Sequence, residues 1–229
     1  MRPGSTAPLL TLAALGLFLA ACQASPGQPQ GAVTPPPVAM VSPGAGAGTP
    51  APPSSPHQPA LSPADQARLD QDLIAAAKAN NAPLVAELIG RGGNVNAKDP
   101  IQDSAFLFAG AEGLNDVLQL TLAAGADVTS INRYGGTALI PASEHGHVDT
   151  VRILIAAGVP VNHVNNLGWT AMQEAILLND GGPRQQEVVR LLLAAGADPG
   201  IRDPEGRTAP QNAEGLGYSE IAAVIRGQG

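Results

Sequence analysis

Cysteine, lysine and aromatic residues are scarce in this sequence. Its 229 residues include one Cys, one Trp, two Tyr and three Phe. A single cysteine excludes a disulfide within the chain, so a stable domain has to rest on packing. Only two lysines occur, Lys78 and Lys98, no basic run is present, and the formal net charge is −7. These features argue against nucleic acid and anionic lipid surfaces as partners, because both are recognised by clustered Lys and Arg.

Sequence motifs of common catalytic sites are also absent. There is no glycine-rich phosphate loop, no HExxH and no GxSxG. His145 and His147 form the one dense histidine pair, with Glu144 and Asp149 close by. A structural or surface role is the simpler interpretation of this pair, and a metal-binding protein is the alternative. We therefore predict that the chain is not an enzyme and that it holds no cofactor and no metal.

Charged and aromatic residues are missing from the long stretch between Gln23 and Pro63. Twelve of its residues are proline, five are glycine and seven are alanine. Such a segment cannot bury enough apolar surface to offset the entropy of the chain. Its prolines favour the extended polyproline II conformation. We predict that residues 22–63 form a disordered tether.

A run of thirteen apolar or small residues, Leu9 to Ala21, precedes the tether. It is shorter than the roughly 20 residues that a membrane-spanning helix needs. With Arg2 before it, the run has the length and composition of the apolar region of a secretory signal peptide. We therefore predict that residues 1–21 are a signal peptide and that they take no part in the fold.

The run ends in Leu19-Ala20-Ala21-Cys22, which resembles the lipobox of bacterial lipoproteins. The resemblance implies cleavage before Cys22, a diacylglycerol on its sulfur and acylation of the new amine. Several acyl chains anchor a protein stably, whereas one chain gives only marginal binding. Gln23, by the same resemblance, favours the outer membrane over the inner membrane. The alternatives are a chance cysteine after an ordinary signal peptide and a transmembrane anchor.

Self-similar segments follow residue 63. Glycine-containing segments such as AGADVTSIN (124–132) recur, and so do alanine-containing segments such as TALIPAS (137–143). Three of the glycines are equally spaced, at Gly92, Gly125 and Gly158, and Gly196 follows after a longer interval. The alanines keep the same register, at Ala76, Ala109, Ala142, Ala175 and Ala213. An insert around Asn179 to Pro183 accounts for the longer interval.

A period of about 33 residues, with paired helices and a glycine-marked turn, resembles the ankyrin repeat. Residues 132–162 lie close to that family's pattern. The resemblance implies an all-α repeat fold, an ankyrin-repeat solenoid of helix-turn-helix units and hairpin loops, over residues 64–229. Its first and last repeats are expected to act as caps that shield the ends of the stack. The predicted repeats are 64–99, 100–132, 133–165, 166–203 and 204–229.

Local signals predict where several helices begin and end. Ser62 is expected to cap the first helix, ahead of Pro63 at its first position. Thr137 is expected to cap the first helix of the third repeat. Gly146 and Gly158 are expected to end the two helices of that repeat.

The family's usual histidine, three residues after the capping position, is missing from every repeat. Other residues stand in its place: Ile74, Leu107, Ile140, Gln173 and Gln211. Since that histidine usually ties the turn together, we expect the turns to be held less firmly.

The resemblance also implies a protein partner, bound at the hairpin tips and at the concave face of the first helices. The main candidate contact residues at those positions are Arg133, Tyr134, Glu144, His145, Leu167, Trp169, Glu174 and Arg207. Pro100, Ile101 and Asp103 occupy the tip of the second repeat.

Trp, Tyr and Arg often dominate binding energy, which favours Trp169, Tyr134 and Arg133 as contacts. For Trp169, the only tryptophan, packing over its own hairpin is the alternative to partner contact. The insert at Asn179 to Pro183 either shapes specificity or reflects drift in a tolerant loop.

The expected function is a monomeric, membrane-tethered, non-catalytic protein–protein interaction module of the bacterial envelope, facing the periplasm. An accessory factor that protects another envelope protein and an immunity-type binder both fit this description. The alternatives are a small-ligand or metal-binding envelope protein and a host-directed ankyrin effector. The lipobox argues against the effector, because an acylated protein stays on the membrane.

Replacing the lipobox cysteine tests the anchor. We expect Cys22→Ser to move the protein from the membrane fraction to the soluble fraction, because the acyl chains then have no thiol to join. Cell fractionation followed by immunoblotting measures the change, with Ser25→Ala as a control that stays with the membrane. A Cys22→Ser protein that still fractionates with the membrane contradicts the lipoprotein interpretation.

Overall fold

The structure is a computed structural model that describes residues 61–227. The predicted signal peptide, Cys22 and nearly all of the predicted tether lie outside these residues and stay predictions. Within residues 61–227 the chain forms ten α-helices and no strand, and none of these helices is long and apolar enough to cross a membrane. The predicted all-α fold is therefore confirmed.

The helices come in five pairs, one pair in each predicted repeat. In chain order they are α1 (Pro63–Lys78), α2 (Ala82–Gly90), α3 (Ala105–Ala111), α4 (Asn115–Ala123), α5 (Leu139–Glu144), α6 (Val148–Ala156), α7 (Ala171–Leu177), α8 (Pro183–Ala194), α9 (Ala209–Gly215) and α10 (Ser219–Arg226). The odd-numbered helices pack side by side as an inner row, and the even-numbered helices form an outer row behind them. One apolar core runs between the two rows from α1 to α10.

Small residues allow the inner helices to pack closely. The periodic alanines are all at most 3% exposed: Ala76, Ala109, Ala142, Ala175 and Ala213. Gly110 on α3 shows how tight the contact is, because a Cβ there would lie 2.8 Å from the Cβ of Ala138. Larger side chains fill the space between the rows, among them Phe106, Leu139 and Leu192, each fully buried. The alanine register in the sequence therefore marks small, buried positions on the inner helices, which pack side by side.

Most of the predicted helix ends are confirmed. The Ser62 hydroxyl oxygen accepts a hydrogen bond from the Asp65 N–H at 3.2 Å, with Pro63 at the start of α1. Gly146 follows the end of α5 with φ +65°, and Gly158 follows the end of α6 with φ +85°. Both values lie in the left-handed region that glycine adopts without strain.

The predicted cap at Thr137 is wrong. Its hydroxyl is buried without a hydrogen-bond partner among residues 61–227, and α5 begins only at Leu139. The Ile140 N–H, from which the hydroxyl would accept, donates to the Thr137 carbonyl at 3.2 Å instead. The fourth repeat keeps its cap: the Thr170 hydroxyl accepts a bond from the Gln173 N–H at 3.3 Å, and the Gln173 Oε1 accepts a bond from the Thr170 N–H at 2.8 Å, which completes a capping box.

The same glutamine also overturns the expectation of a loosely held turn in the fourth repeat. Gln173 Nε2 donates to the Ile201 carbonyl at 3.0 Å and ties α7 to the fifth repeat. In the last repeat the Gln211 Oε1 accepts a bond from the Thr208 N–H at 2.9 Å. An amide side chain can donate and accept at once, so it replaces the missing histidine.

The insert after α7 is tied to the repeats on both sides. Asn179 Nδ2 donates to the Glu144 carbonyl of the third repeat at 2.7 Å, and its Oδ1 accepts a bond from Gln185 Nε2 at 3.0 Å. The Tyr218 hydroxyl of the last repeat donates to the Asn179 carbonyl. Gly181, with φ +70°, lies against the Tyr218 ring. These contacts give the insert a structural role in place of the drift considered above.

Gly181→Ala tests the contact between the insert and the last repeat. A Cβ at Gly181 would lie 2.6 Å from the Tyr218 ring, whereas Gly217, with φ +77°, has open space at that position. Both glycines have the same left-handed conformation, so Gly217→Ala is the matched control for backbone strain. We expect Gly181→Ala to lower the free energy of unfolding in urea by about 1 to 3 kcal/mol more than the control. Equal losses would mean that the Tyr218 ring moves aside freely.

Candidate functional site

A groove on the inner side of the second, third and fourth repeats is the candidate site. Its cavity volume is about 420 Å³. The lining comes from α3, α5 and α7 and from the hairpins that precede α5 and α7. It includes six of the eight main predicted contact residues: Arg133, Tyr134, Glu144, His145, Leu167 and Glu174.

One side chain at the base of each hairpin fixes the shape of its tip. The Asn132 Oδ1 accepts hydrogen bonds from the Tyr134 N–H at 2.9 Å and the Gly136 N–H at 3.0 Å. In the same way, the Asn165 Oδ1 accepts hydrogen bonds from the Leu167 N–H and the Trp169 N–H, each at 3.0 Å. These short side chains favour such turns because they bond to the backbone two residues ahead. The backbone conformation of the two tips is therefore fixed by local hydrogen bonds and does not depend on a partner.

Three successive tips expose a large apolar side chain at the same register. Ile101, Tyr134 and Leu167 lie one repeat apart and are 51%, 53% and 51% exposed. We call these three residues the tip row. The next hairpin carries the exposed Glu205 near the equivalent position, so the row ends at the fourth repeat. Ile101 was placed at a tip by its register but was not among the main candidate residues; its exposure matches that of Tyr134 and Leu167, although it does not line the groove as they do.

Arg133 and Tyr134 form one unit at the third tip. The guanidinium of Arg133 lies 4.7 Å from the centre of the Tyr134 ring and 3.4 Å from an Asp103 carboxylate oxygen. The Tyr134 carbonyl accepts a bond from the Asn166 N–H of the next hairpin at 2.9 Å. An exposed cation–π pair of this kind contributes about 0.5 to 1 kcal/mol. The contacts hold the ring in place beside the groove.

Two carboxylates, Glu144 on α5 and Glu174 on α7, lie in the same groove, and we call them the carboxylate pair. Glu174 is only 5% exposed, and its Oε1 accepts a bond from Asn165 Nδ2 at 2.7 Å. Burial raises the pKa of Glu174 to about 7, and the charge of Glu144 adds to the rise, while the bond from Asn165 opposes it. A carboxyl that changes its charge near neutral pH therefore lies in the groove.

The two remaining candidate residues, Trp169 and Arg207, do not line the groove. Trp169 is half-buried, and its Nε1 is enclosed without a hydrogen-bond partner in the described part of the chain. Arg207 is exposed on the last hairpin, 3.4 Å from both the Asp203 and the Glu205 carboxylates. The role predicted for each of them in partner contact stays a prediction.

The histidine pair has ordinary structural contacts. His145 Nδ1 donates to the Ala111 carbonyl at 2.9 Å, and the rings of His145 and His147 stand edge to face with 5.4 Å between their centres. Burial lowers the pKa of His147, and the neighbouring His145 lowers it further. From Leu61 to Gly227, no three His, Cys, Asp or Glu side chains form a group that could hold a metal ion.

Comparison with known proteins agrees with this architecture. The family model for ankyrin repeats (three copies) matches residues 73–163 and 106–203, which together span more than half of the chain. This chain belongs to the ankyrin repeat family. Ankyrin repeat proteins are in general non-catalytic modules for protein–protein interaction.

Bacterial ankyrin repeat proteins are among the relatives. YahD of Escherichia coli (strain K12) is 38% identical over 142 residues, which are 62% of this chain and 71% of that protein. A solved ankyrin repeat domain from Acinetobacter baumannii AYE is 56% identical with a TM-score of 0.67, covering 68% of this chain and 80% of that one. A second solved ankyrin repeat protein is 40% identical with a TM-score of 0.65, covering 67% and 78%. The predicted ankyrin-repeat solenoid is confirmed.

The buried carboxyl makes the stability of the ankyrin repeat domain depend on pH. Folded Glu174 holds its proton up to about pH 7, whereas the ordinary pKa is 4.5. Between these values the unfolded chain ionises first, so stability falls as pH rises and stays lower above pH 7. Glu174→Gln keeps an oxygen for Asn165 and removes the ionisation.

We expect the unfolding free energy of the wild type to fall by about 1 to 3 kcal/mol more than that of Glu174→Gln between about pH 5 and about pH 8. Urea denaturation at both pH values measures the difference. Asp116→Asn, which removes an exposed carboxylate on α4, is the control and should behave like the wild type. Parallel pH profiles for wild type and Glu174→Gln would contradict the raised pKa.

Proposed function

We propose that this chain is a lipid-anchored, non-catalytic binding protein of the bacterial envelope, whose groove holds a segment of a partner protein. The tip row is the observation that carries the proposal. Each of its three large apolar side chains stays about half exposed, including Tyr134 with the Arg133 guanidinium stacked on its ring. Exposed apolar patches of this kind typically mark interaction sites.

The groove is prepared for binding because its parts are already ordered. The hairpin tips are held by Asn132 and Asn165, and the inner helices are held by the periodic alanines. A partner therefore loses little free energy to the ordering of this surface. Covering the half-exposed side chains of the tip row would contribute about 1 kcal/mol for each side chain.

The sequence before the domain supports the location in the envelope. The lipobox at Cys22 would place several acyl chains at the start of the processed protein, and these give stable anchoring. The proline-rich residues that follow would hold the ankyrin repeats away from the membrane at roughly 3 Å per extended residue. Such an arrangement would suit an accessory factor for another envelope protein or an immunity-type binder, with the chain acting as a monomer on the outer membrane.

Capture of the partner tests the groove. Crosslinking in the producing bacterium, followed by purification of the full chain, is expected to recover a defined envelope protein. The double variant Tyr134→Ala, Leu167→Ala is expected to lose it, since alanine removes most of the apolar contact of the tip row. Leu216→Ala is the matched control, because Leu216 is 45% exposed but lies in the turn between α9 and α10.

The control should retain the partner at the wild-type yield. Circular dichroism of all variants shows whether they are folded, which separates loss of contact from loss of structure. Recovery of the same partner by the folded double variant would contradict the proposed binding surface.

A further inference from the structure

One carboxylate oxygen of Glu174 accepts a hydrogen bond within residues 61–227, and the other accepts none. Its Oε1 accepts the bond from Asn165 Nδ2, which fixes the orientation of the carboxylate. Its Oε2 accepts no hydrogen bond from any group in residues 61–227, although the side chain is 5% exposed and lines the groove. Oε2 is not one of the fully enclosed unpartnered atoms, so it is accessible from the groove and can accept a hydrogen bond from a ligand there.

The carboxylate of Glu144 is in a similar position. In the described part of the chain it makes no ion pair and accepts no side-chain hydrogen bond. It lies close enough to Glu174 for the two charges to disfavour each other. Above about pH 7, where Glu174 has lost its proton, the carboxylate pair therefore forms a negative region in the middle of the groove.

The cations nearest to this region are already engaged. Arg133 pairs with Asp103 and stacks on Tyr134, and His145 donates through Nδ1 to the Ala111 carbonyl. Neither side chain makes an ion pair with Glu144 or Glu174 among residues 61–227. The geometry leaves room for one positive group from outside the chain, within a cavity of about 420 Å³.

We propose that the carboxylate pair is a subsite for a cationic side chain, arginine or lysine, carried by the partner segment that occupies the groove. The apolar side chains of that segment would lie on the tip row while its cation bonds to Glu174 Oε2 and Glu144. This inference rests on the proposed function of the groove and specifies the partner's chemistry. The net charge of the chain, −7, favours approach by a segment of positive charge.

A pair of small probes with the same shape tests the subsite. N-acetyl-arginine amide carries the guanidinium, and N-acetyl-citrulline amide replaces it by a neutral urea group. Each is titrated into the ¹⁵N-labelled full chain carrying Cys22→Ser, and the amide resonances are followed by NMR. We expect the arginine probe alone to give saturable shifts at Glu144, His145, Asn165 and Glu174.

Neutral variants of the pair locate the contact. Glu174→Gln and Glu144→Gln are each expected to weaken binding of the arginine probe by about fivefold or more, because a charge-assisted bond becomes a neutral one. Asp116→Asn removes the same charge elsewhere and is expected to leave the affinity unchanged, apart from a small effect of net charge. Glu174→Gln can still accept the bond from Asn165, so its groove should stay folded.

Three results would overturn the inference. They are equal shifts with the citrulline probe, no saturable shifts with the arginine probe at tens of millimolar, and unchanged affinity in both glutamine variants.

A failure of the cation subsite can be distinguished from a failure of the proposed function. If the arginine probe fails while Tyr134→Ala, Leu167→Ala abolishes partner capture, the groove binds a partner of different chemistry. If the probe binds while that double variant captures normally, the subsite exists but the tip row is not the partner's contact.

Discussion

The close approach of neighbouring inner helices is the constraint on which the rest of the structure depends. No repeat can bury its apolar face alone, so each relies on the repeat beside it. The periodic alanines make this possible, because a small side chain lets the helix backbones come together across a narrow gap. Gly110 shows the limit of that gap, where even one added carbon would meet Ala138. The spacing of the inner helices in turn sets the spacing of the hairpin tips and the width of the groove.

Much of the fold could be predicted from the sequence, since a repeat shows the same physical requirement several times. The helix pairs and the ends at Gly146 and Gly158 follow from periodic signals. Thr137 could not be judged from its residue type, because a cap also depends on the local backbone, and the Ile140 N–H bonds to the Thr137 carbonyl instead of the hydroxyl. Gln173 shows the reverse case, where a departure from the family pattern supplies an equivalent bond.

The candidate site was less predictable than the fold. The register of the hairpins placed Ile101, Tyr134 and Leu167 at their tips, but their exposure had to be seen before they could be joined into one row. The burial of Glu174 also depends on the neighbouring repeats, which close over α7 and leave one oxygen facing the groove. Residue type and spacing say where a side chain sits in its repeat. They do not say which of its atoms a neighbouring repeat will satisfy.

Asn179 has a consequence for how the domain comes apart. In a repeat array, each unit ordinarily opens from the end with only its immediate neighbour to restrain it. Asn179 bonds at once to the third repeat through the Glu144 carbonyl and to the last repeat through the Tyr218 hydroxyl. Fraying of the C-terminal unit therefore loosens a residue that also supports the end of α5, beside the groove. Through these bonds one residue connects the last three repeats and links the start of the terminal helix to the groove.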